Sequence, residues 1–249
     1  RKRRDNSFAL HFARQGMIAV AVDNPARAEA ESPLQGLSEV SRNMILAGRN
    51  YLGISVFQKC QILKWLANLP VVDSERIATC GLSLGSDPAD IVGLLNPDLV
   101  RAVIHNDFVC DWRERTIAVT GHSPTAWHVV PGMYEWFDAP DIQAALAPRP
   151  LLYTEGGRTP HINRVRAAYK TAGAPDYPEV EYYKKYGTAE SRPCDECPIP
   201  EGLTLEEYFQ YANVDVANHR FHPERAVPWL TEVFGIAHPT RWPGGASGK

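Results

Sequence analysis

The chain has 249 residues, of which 44% are hydrophobic and 22% are charged, with a formal net charge of −3. These values indicate one globular domain over residues 1–249 that is large enough to bury a core, and they give no sign of a nucleic-acid partner. No apolar stretch approaches the ~18 residues of a transmembrane helix, so no membrane partner is expected either.

Apolar runs of strand length alternate with helical patterns along the chain. In chain order we predict a helix at 7–14, a strand at 18–23, a helix at 56–68, a strand at 76–81, a helix at 89–95, a strand at 102–105, a helix at 141–147, a strand at 150–154, a helix at 163–172, a strand at 180–183 and a helix at 226–234. This alternation predicts an α/β fold with a mainly parallel sheet and helices on both faces. Ligands of such sheets bind at the carboxyl ends of the strands.

Two loop insertions, near 111–139 and 186–217, interrupt this alternation. Loops of such length are commonly functional covers or binding walls. Trp127 and Trp136 in the first loop are candidates for stacking against a substrate, with packing inside the loop as the alternative. The Cys-x-x-Cys beginning at Cys194 in the second loop has no second pair to complete a zinc site, so we expect loop thiols or a local disulfide and no metal.

A serine pentapeptide lies between a predicted strand and a predicted helix. Residues Gly81 to Gly85 read Gly-Leu-Ser-Leu-Gly. A serine on such a sharp turn exposes its hydroxyl, while the following backbone N–H and the helix N-terminus face a developing oxyanion. We therefore predict Ser83 as a nucleophile and the N–H of Leu84 as one donor of an oxyanion hole.

A serine hydroxyl is a weak nucleophile until a base takes its proton, and in this chain order the base comes last. The segment Asn218-His-Arg-Phe-His-Pro223 directly precedes the final predicted helix. We predict His219 as the base, because His222 immediately precedes Pro223 and is typical of the entry into that helix.

These residues together resemble the α/β-hydrolase superfamily, and within it the acetyl xylan esterase-like and dienelactone hydrolase-like proteins. The resemblance covers nearly the whole chain, with Leu146-Ala-Pro-Arg-Pro-Leu-Leu152 as its most specific string and His219-Arg-Phe221 similar to the family's His-x-Phe. It implies a carboxylic ester hydrolase that needs no cofactor and acts on a small-molecule or carbohydrate ester. The compartment stays open, and a secreted or periplasmic location is compatible with the resemblance.

The resemblance fails at the third member of the triad. The family usually has an Asp before Pro after the strand at 150–154, whereas this chain has Thr159 before Pro160. A threonine cannot stabilise an imidazolium electrostatically. Three substitutes remain: Asp107, ranked first because some hydrolases of this fold take the acid from the preceding strand, then Glu155, and Asp111. Each has an alternative role as a loop carboxylate or a helix cap.

The start of the chain also departs from the family, which places further strands before the helix at 7–14. One of them would lie between the strands at 18–23 and 76–81, and its loop would supply the second oxyanion donor. Its absence would leave unpaired ladder groups in the middle of the sheet. We therefore expect this sequence to be the later part of a longer domain, completed by a separate segment or by another chain.

The leading hypothesis is a serine ester hydrolase that forms an acyl-enzyme on Ser83. The competing hypothesis is a non-catalytic hydrolase relative that binds a partner or has a structural role, since Thr159 stands where the acid is expected. A serine peptidase of the same architecture is a further alternative. Fold alone does not decide among these functions, and the oligomeric state stays open.

Overall fold

A computed structural model describes residues 7–27, 36–121 and 126–236. Four β-strands and ten α-helices are found in these ranges. In chain order they are α1 (Phe8–Ala13), α2 (Leu37–Leu46), α3 (Tyr51–Ala67), β1 (Ile77–Leu82), α4 (Ser86–Leu95), β2 (Val100–Asn106), α5 (Trp112–Ala118), α6 (Met133–Trp136), α7 (Ala139–Ala144), β3 (Leu151–Tyr153), α8 (Thr159–Thr171), β4 (Glu179–Val180), α9 (Leu205–Tyr211) and α10 (Pro223–Val233).

The four strands form one parallel sheet in the order β1-β2-β3-β4, so each strand pairs with the next one along the chain. Parallel neighbours need a crossover, and α4, α7 and α8 lie in those connections. The predicted α/β architecture with a parallel sheet is confirmed. All four carboxyl ends lie at one edge, which brings together the loops that begin at residues 83, 107, 154 and 181.

Both faces of the sheet are buried, because successive side chains along a strand point to opposite faces. Val103 and Tyr153 pack with α3, α4 and α8 on one face. Ile104 and Leu152 pack with α1 and α10 on the other. All four side chains are at most 2% exposed, and burial of each large aliphatic side chain stabilises the fold by about 1.5–3 kcal/mol.

The strand predicted at 18–23 is wrong for the described residues. The segment has no ladder partner there, and Ile18 and Val20 are 59% and 49% exposed. Its alternating pattern favours a strand, but a strand also needs a neighbour whose backbone groups it can pair with. Instead, α3 holds the end of the segment through side chains: Lys59 Nζ donates to Asn24 Oδ1 at 2.6 Å, and the Tyr51 hydroxyl donates to the carbonyl of Pro25 at 2.7 Å.

The other predicted elements are present with shifted bounds. α3 begins at Tyr51 instead of residue 56, where the Asn50 side chain caps it by accepting from the N–H of Gly53. β4 contains only residues 179–180 instead of 180–183. Helices α2, α5, α6 and α9 were not predicted, and the last three lie inside the two loop insertions. In the described ranges, every helix is too short or too polar to span a lipid bilayer.

The two loop insertions pack against each other above the carboxyl edge of the sheet. Val119 from the first forms a parallel bridge with Leu203 from the second. A separate apolar cluster beneath them includes Phe108, Val119, Tyr208 and Val214, each 8% exposed or less. The described parts of the insertions are therefore folded parts of the domain and have their own small core.

Candidate active site

Ser83 lies on the sharp turn between β1 and α4. Its φ is +52°, in the left-handed region that costs a non-glycine residue energy. The turn makes one 3-10 helical turn, Ser83–Gly85, that continues directly into α4, and Ser83 is solvent-exposed. A strained, exposed serine between a strand and a helix is the geometry of a nucleophile elbow.

Gly81 makes this turn sterically possible. A Cβ at Gly81 would lie 1.9 Å from the carbonyl oxygen of Gly85, so the strand end and the helix start pass too closely for any side chain. The buried hydroxyl of Ser86 donates to the Gly81 carbonyl at 2.9 Å and closes the turn from the other side. The first glycine of the pentapeptide is therefore required by backbone contact.

His219 follows a 3-10 turn, Val216–Asn218, and lies four residues before α10. Its Nδ1 is 2.6 Å from Oε2 of Glu155, which follows β3 and is fully buried. The same Nδ1 is 4.0 Å from Oδ1 of Asp107, which directly follows β2. Ring nitrogen and carboxylate at 2.6 Å form a charge-assisted hydrogen bond, whereas 4.0 Å leaves only a Coulomb interaction.

Glu155 accepts several hydrogen bonds in addition to that of His219. Its Oε1 accepts from the backbone N–H of Arg220 at 3.2 Å and lies 3.1 Å from Nε2 of His222. Asn106 Nδ2 approaches the same oxygen at 3.5 Å. Every one of these donors favours the ionised carboxylate, which compensates for burying a charge.

His219, Glu155 and Asp107 influence one another's pKa values. For His219, burial opposes the charged form, but the hydrogen bond that it donates to Glu155 and the charges of Asp107 and Glu155 outweigh it and raise its pKa to about 9. Burial acts to raise the pKa of Glu155, but its hydrogen bonds with His219 and His222 hold it below the ordinary value. Burial and the charge of Glu155 raise the pKa of Asp107 to about 6, against the effect of His219. Glu155 is therefore the more strongly ionised partner of His219.

The other predicted acid, Asp111, has a local role. It is the N-cap of α5, where its Oδ1 accepts from the N–H of Glu114 at 2.8 Å. Its Oδ2 is 3.5 Å from Arg164. The structure does not bring it into contact with His219.

Thr159, which stands where the family has its acid, is the first residue of α8. Its backbone N–H donates to Asp195 at 2.9 Å, and its hydroxyl donates to the same carboxylate. Asp195 lies between the two thiols of the Cys-x-x-Cys segment, so that segment caps a helix. Cys194 and Cys197 are both free thiols in this structure.

Ser83 and His219 line one cavity of about 340 Å³, together with Leu84 and Asp107. Its remaining walls come from the residue after Asp107 and from the two loop insertions, as expected for covers of a binding site: Phe108, Trp112, Arg115, Thr116, Trp127, His128, Tyr134, Phe209, Val214 and Val216. Trp127 is therefore at the cavity, whereas Trp136 is 78% exposed and lies outside it. A concave, aromatic-lined cavity with a few polar groups is typical of a small-molecule site.

Asp107, Glu155 and His219 offer three ligand atoms that lie within 4.8 Å of one another. Two carboxylates and an imidazole are a donor set that divalent cations accept. The short bond between His219 and Glu155 instead engages Nδ1 within the protein: its N–H donates to the ionised carboxylate, which is the arrangement of an oriented base.

A model of the abhydrolase family matches residues 1–232. The chain belongs to the abhydrolase family. A crystal structure from Bacteroides fragilis NCTC 9343, named a "putative acetyl xylan esterase", superposes with a TM-score of 0.86 at 37% identity, over 93% of this chain and 64% of that one. The Bacillus subtilis (strain 168) protein "Putative hydrolase YtaP" is 26% identical over 160 residues, which are 60% of this chain and 49% of YtaP. This abhydrolase chain thus spans about half to two thirds of the length of these relatives.

For two residues, the sequence does not indicate the role that they have at the site. His222 was interpreted as the entry into α10, yet it is 3% exposed and bonds to Glu155. Arg115 was not distinguished from other surface arginines, yet it lines the cavity. His222 is far in sequence from Glu155, and Arg115 is far in sequence from Ser83 and His219. Only the folded abhydrolase brings these residues together.

Proposed function

We propose that this chain is a serine ester hydrolase. The observation that carries the proposal is the 2.6 Å contact of His219 with the buried Glu155, where His219 lines a cavity that also contains an exposed serine with a left-handed backbone. A base oriented by a buried carboxylate beside such a serine is the constellation of acyl-transfer enzymes.

The mechanism follows from these positions. Ser83 Oγ attacks the acyl carbonyl while Nε2 of His219 takes its proton, and the Nδ1 side is held by Glu155. The backbone N–H of Leu84 stabilises the oxyanion at the start of α4, where the helix dipole adds to it. The protonated His219 gives the proton to the leaving alcohol, and water then cleaves the acyl-enzyme by the same steps.

Glu155 takes the place of the family acid in this proposal. It follows β3, on the same strand exit as Thr159, and its bond to His219 is 1.4 Å shorter than the separation of Asp107 from the same nitrogen, 2.6 Å against 4.0 Å. A buried carboxylate at this distance removes the main reason for a non-catalytic relative, which was the missing acid. Asp107 remains a second negative charge that supports the imidazolium.

An acylated carbohydrate is the substrate class we propose. The support is the 37% identity to a protein named a "putative acetyl xylan esterase", together with tryptophan side chains at the cavity wall. Aromatic rings offer flat apolar surface on which sugar rings stack.

Labelling with a fluorophosphonate probe tests the reaction class without requiring the substrate. We expect the wild-type protein to be labelled and both Ser83→Ala and His219→Ala to lose labelling. Ser74→Ala, a serine change outside the cavity, is the control and keeps it. Circular dichroism verifies that each variant is folded. A folded wild-type protein that is not labelled contradicts the proposal.

A further inference from the structure

Arg115 on α5 is the only lysine or arginine among the described residues that line the cavity of Ser83 and His219. An arginine in a cavity is usually held by a carboxylate, because an unpaired charge loses hydration there. Other arginines away from bulk water have hydrogen-bond partners: the buried Arg158 pairs with Glu114 at 2.7 Å, and the half-buried Arg225 donates to the backbone carbonyls of Thr154 and Tyr182.

Arg115 has no such partner among the described residues. Its Nε is buried without a hydrogen-bond partner, and no described carboxylate forms an ion pair with its guanidinium. The acids next to it in sequence are engaged elsewhere, since Glu114 binds Arg158 and His161 and Asp111 caps α5. No hydrogen bond to the part of the chain that the structure describes therefore uses the donors of this guanidinium.

Two aromatic rings hold this guanidinium in place. Its Cζ lies 5.5 Å from the ring centroid of Phe209 and 6.0 Å from that of Tyr208, both on α9. Cation–π contacts stabilise the charge without occupying the N–H groups at the edge of the guanidinium plane. Those groups form a rigid fork that matches a carboxylate.

Resting on the proposed function, we propose that Arg115 binds a carboxylate of the substrate, so that this enzyme prefers esters that carry an acidic group. The carboxylate is carried either by the sugar, as in an acetylated uronic acid, or by the acyl group, as in a dicarboxylic half-ester. A neutral substrate leaves the N–H groups of the Arg115 guanidinium without a carboxylate acceptor, whereas an anionic substrate supplies one.

Matched pairs of esters test the preference. The first pair is an acetylated methyl glucuronide and the corresponding acetylated methyl glucoside. The second pair is 4-nitrophenyl hydrogen succinate and 4-nitrophenyl butyrate. We expect the wild-type kcat/KM to favour the acidic member of one pair by roughly 10- to 100-fold, as charge-assisted hydrogen bonds do. The pair that shows the preference tells which part carries the carboxylate.

Variants assign the preference to Arg115. In Arg115→Gln the ratio of kcat/KM within the pair falls to about 1, and Arg115→Lys, which keeps the charge but loses the fork, gives an intermediate ratio. Arg113→Gln, an exposed arginine on the same helix, keeps the wild-type ratio. A wild-type ratio near 1 in both pairs, or a ratio that survives in folded Arg115→Gln, overturns the inference.

A binding measurement separates this inference from the hydrolase proposal. Trp112 and Trp127 line the same cavity, so their fluorescence reports occupancy by methyl glucuronide or by methyl glucoside. Tighter binding of the glucuronide that is lost in Arg115→Gln supports the anion site even if no ester is hydrolysed. Hydrolysis or probe labelling with equal binding of the two glycosides rejects the anion site and leaves the hydrolase intact.

Discussion

Glu155 is the residue on which the proposed site depends. Each of its two oxygens has its own partners: Oε2 contacts His219, and Oε1 contacts His222 and the N–H of Arg220. A carboxylate held on both oxygens cannot rotate, so the imidazole of His219 is fixed in turn. Rigid support of this kind is what a base needs to meet the serine proton at the right angle.

Replacing each carboxylate separately distinguishes their roles. We expect Glu155→Gln to lower kcat/KM on a neutral aryl ester by about 10³- to 10⁴-fold, because the amide holds the wrong tautomer of His219. Asp107→Asn lowers it by less than about 10-fold, since at 4.0 Å it contributes charge and no hydrogen bond. Steady-state kinetics on both variants is the measurement, and the larger loss in Asp107→Asn would indicate that Asp107 is the acid.

The pH profile of the reaction reports the pKa of His219. The base must be neutral, and its pKa is raised to about 9, so kcat/KM increases with pH until about 9. Asp107→Asn removes a negative charge that stabilises the imidazolium, so the pKa falls and the rising limb moves to lower pH. A profile of kcat/KM between pH 5 and 10 for both proteins measures the shift. A limb that moves to higher pH in the variant contradicts the assigned electrostatics.

At the scale of elements, the turn from β1 into α4 has the tightest backbone geometry of the site. Gly81 and Gly85 are the first and last residues of the pentapeptide, yet only at Gly81 would an added side chain collide with the backbone. A Cβ at Gly81 would meet the Gly85 carbonyl, whereas a Cβ at Gly85 would meet nothing within 4 Å, and its φ is −86°. Of the two glycines of this motif, only Gly81 is therefore required to avoid a steric clash.

This asymmetry predicts unequal alanine variants. Gly81→Ala forces the turn apart, which costs about 3 kcal/mol or more and abolishes probe labelling of Ser83. Gly85→Ala is the matched control: it folds with wild-type stability and is labelled. Urea denaturation and labelling of both proteins check this, and equal behaviour of the two variants would refute the contact argument.

The start of α8 depends on a carboxylate from a distant loop. Asp195 accepts from the N–H and hydroxyl of Thr159 and from Asn213 Nδ2 at 2.8 Å. We expect Asp195→Ala to reduce the free energy of unfolding by about 1–2 kcal/mol, as loss of a helix cap does. Glu196→Ala, its exposed neighbour, is the control with little change. Chemical denaturation compares them, and equal stabilities would exclude the capping role.

For the whole molecule, two histidines of the described residues whose pKa is raised by carboxylates contribute to the pH dependence of stability. Besides His219, the buried His105 lies 2.8 Å from Asp90, a pair that joins β2 to α4. Burial opposes its charge, but the charge and hydrogen bond of Asp90 raise the pKa of His105 to about 9. A histidine whose pKa is raised by folding stabilises the fold fully below its unfolded value of ~6.5, and that contribution is lost as pH rises through about 9.

The free energy of unfolding is therefore expected to fall between pH 6.5 and pH 8, because above pH 8 Lys59, whose pKa burial lowers to about 8, acts in the opposite direction. Denaturant titrations at several pH values measure it. His219→Gln removes one contributor and makes the decline shallower, while its buried counterpart His105 remains. A stability that rises over this range would contradict the raised pKa values of both histidines.

The local pattern determined much of this protein. Alternation of apolar runs and helical periods was enough to predict the parallel sheet, because both arise from contacts between near neighbours in sequence. The pentapeptide at Gly81 predicted the sharp turn for the same reason. The segment at 18–23 was predicted wrongly, because its pattern is that of a strand while the ladder partner is a property of the assembled sheet.

Only the tertiary structure could rank Asp107, Asp111 and Glu155 as partners of His219. All three follow strand ends in sequence, and their distances to the imidazole depend on how adjacent strands and the loop before α10 meet. The same holds for Arg115, which has no ion-pair partner in the described ranges: this is seen only once the folded structure shows that the neighbouring acids bind elsewhere. Sequence determines which chemical groups are available and the local turns that present them. Their pairing is decided by long-range packing, which no local pattern encodes.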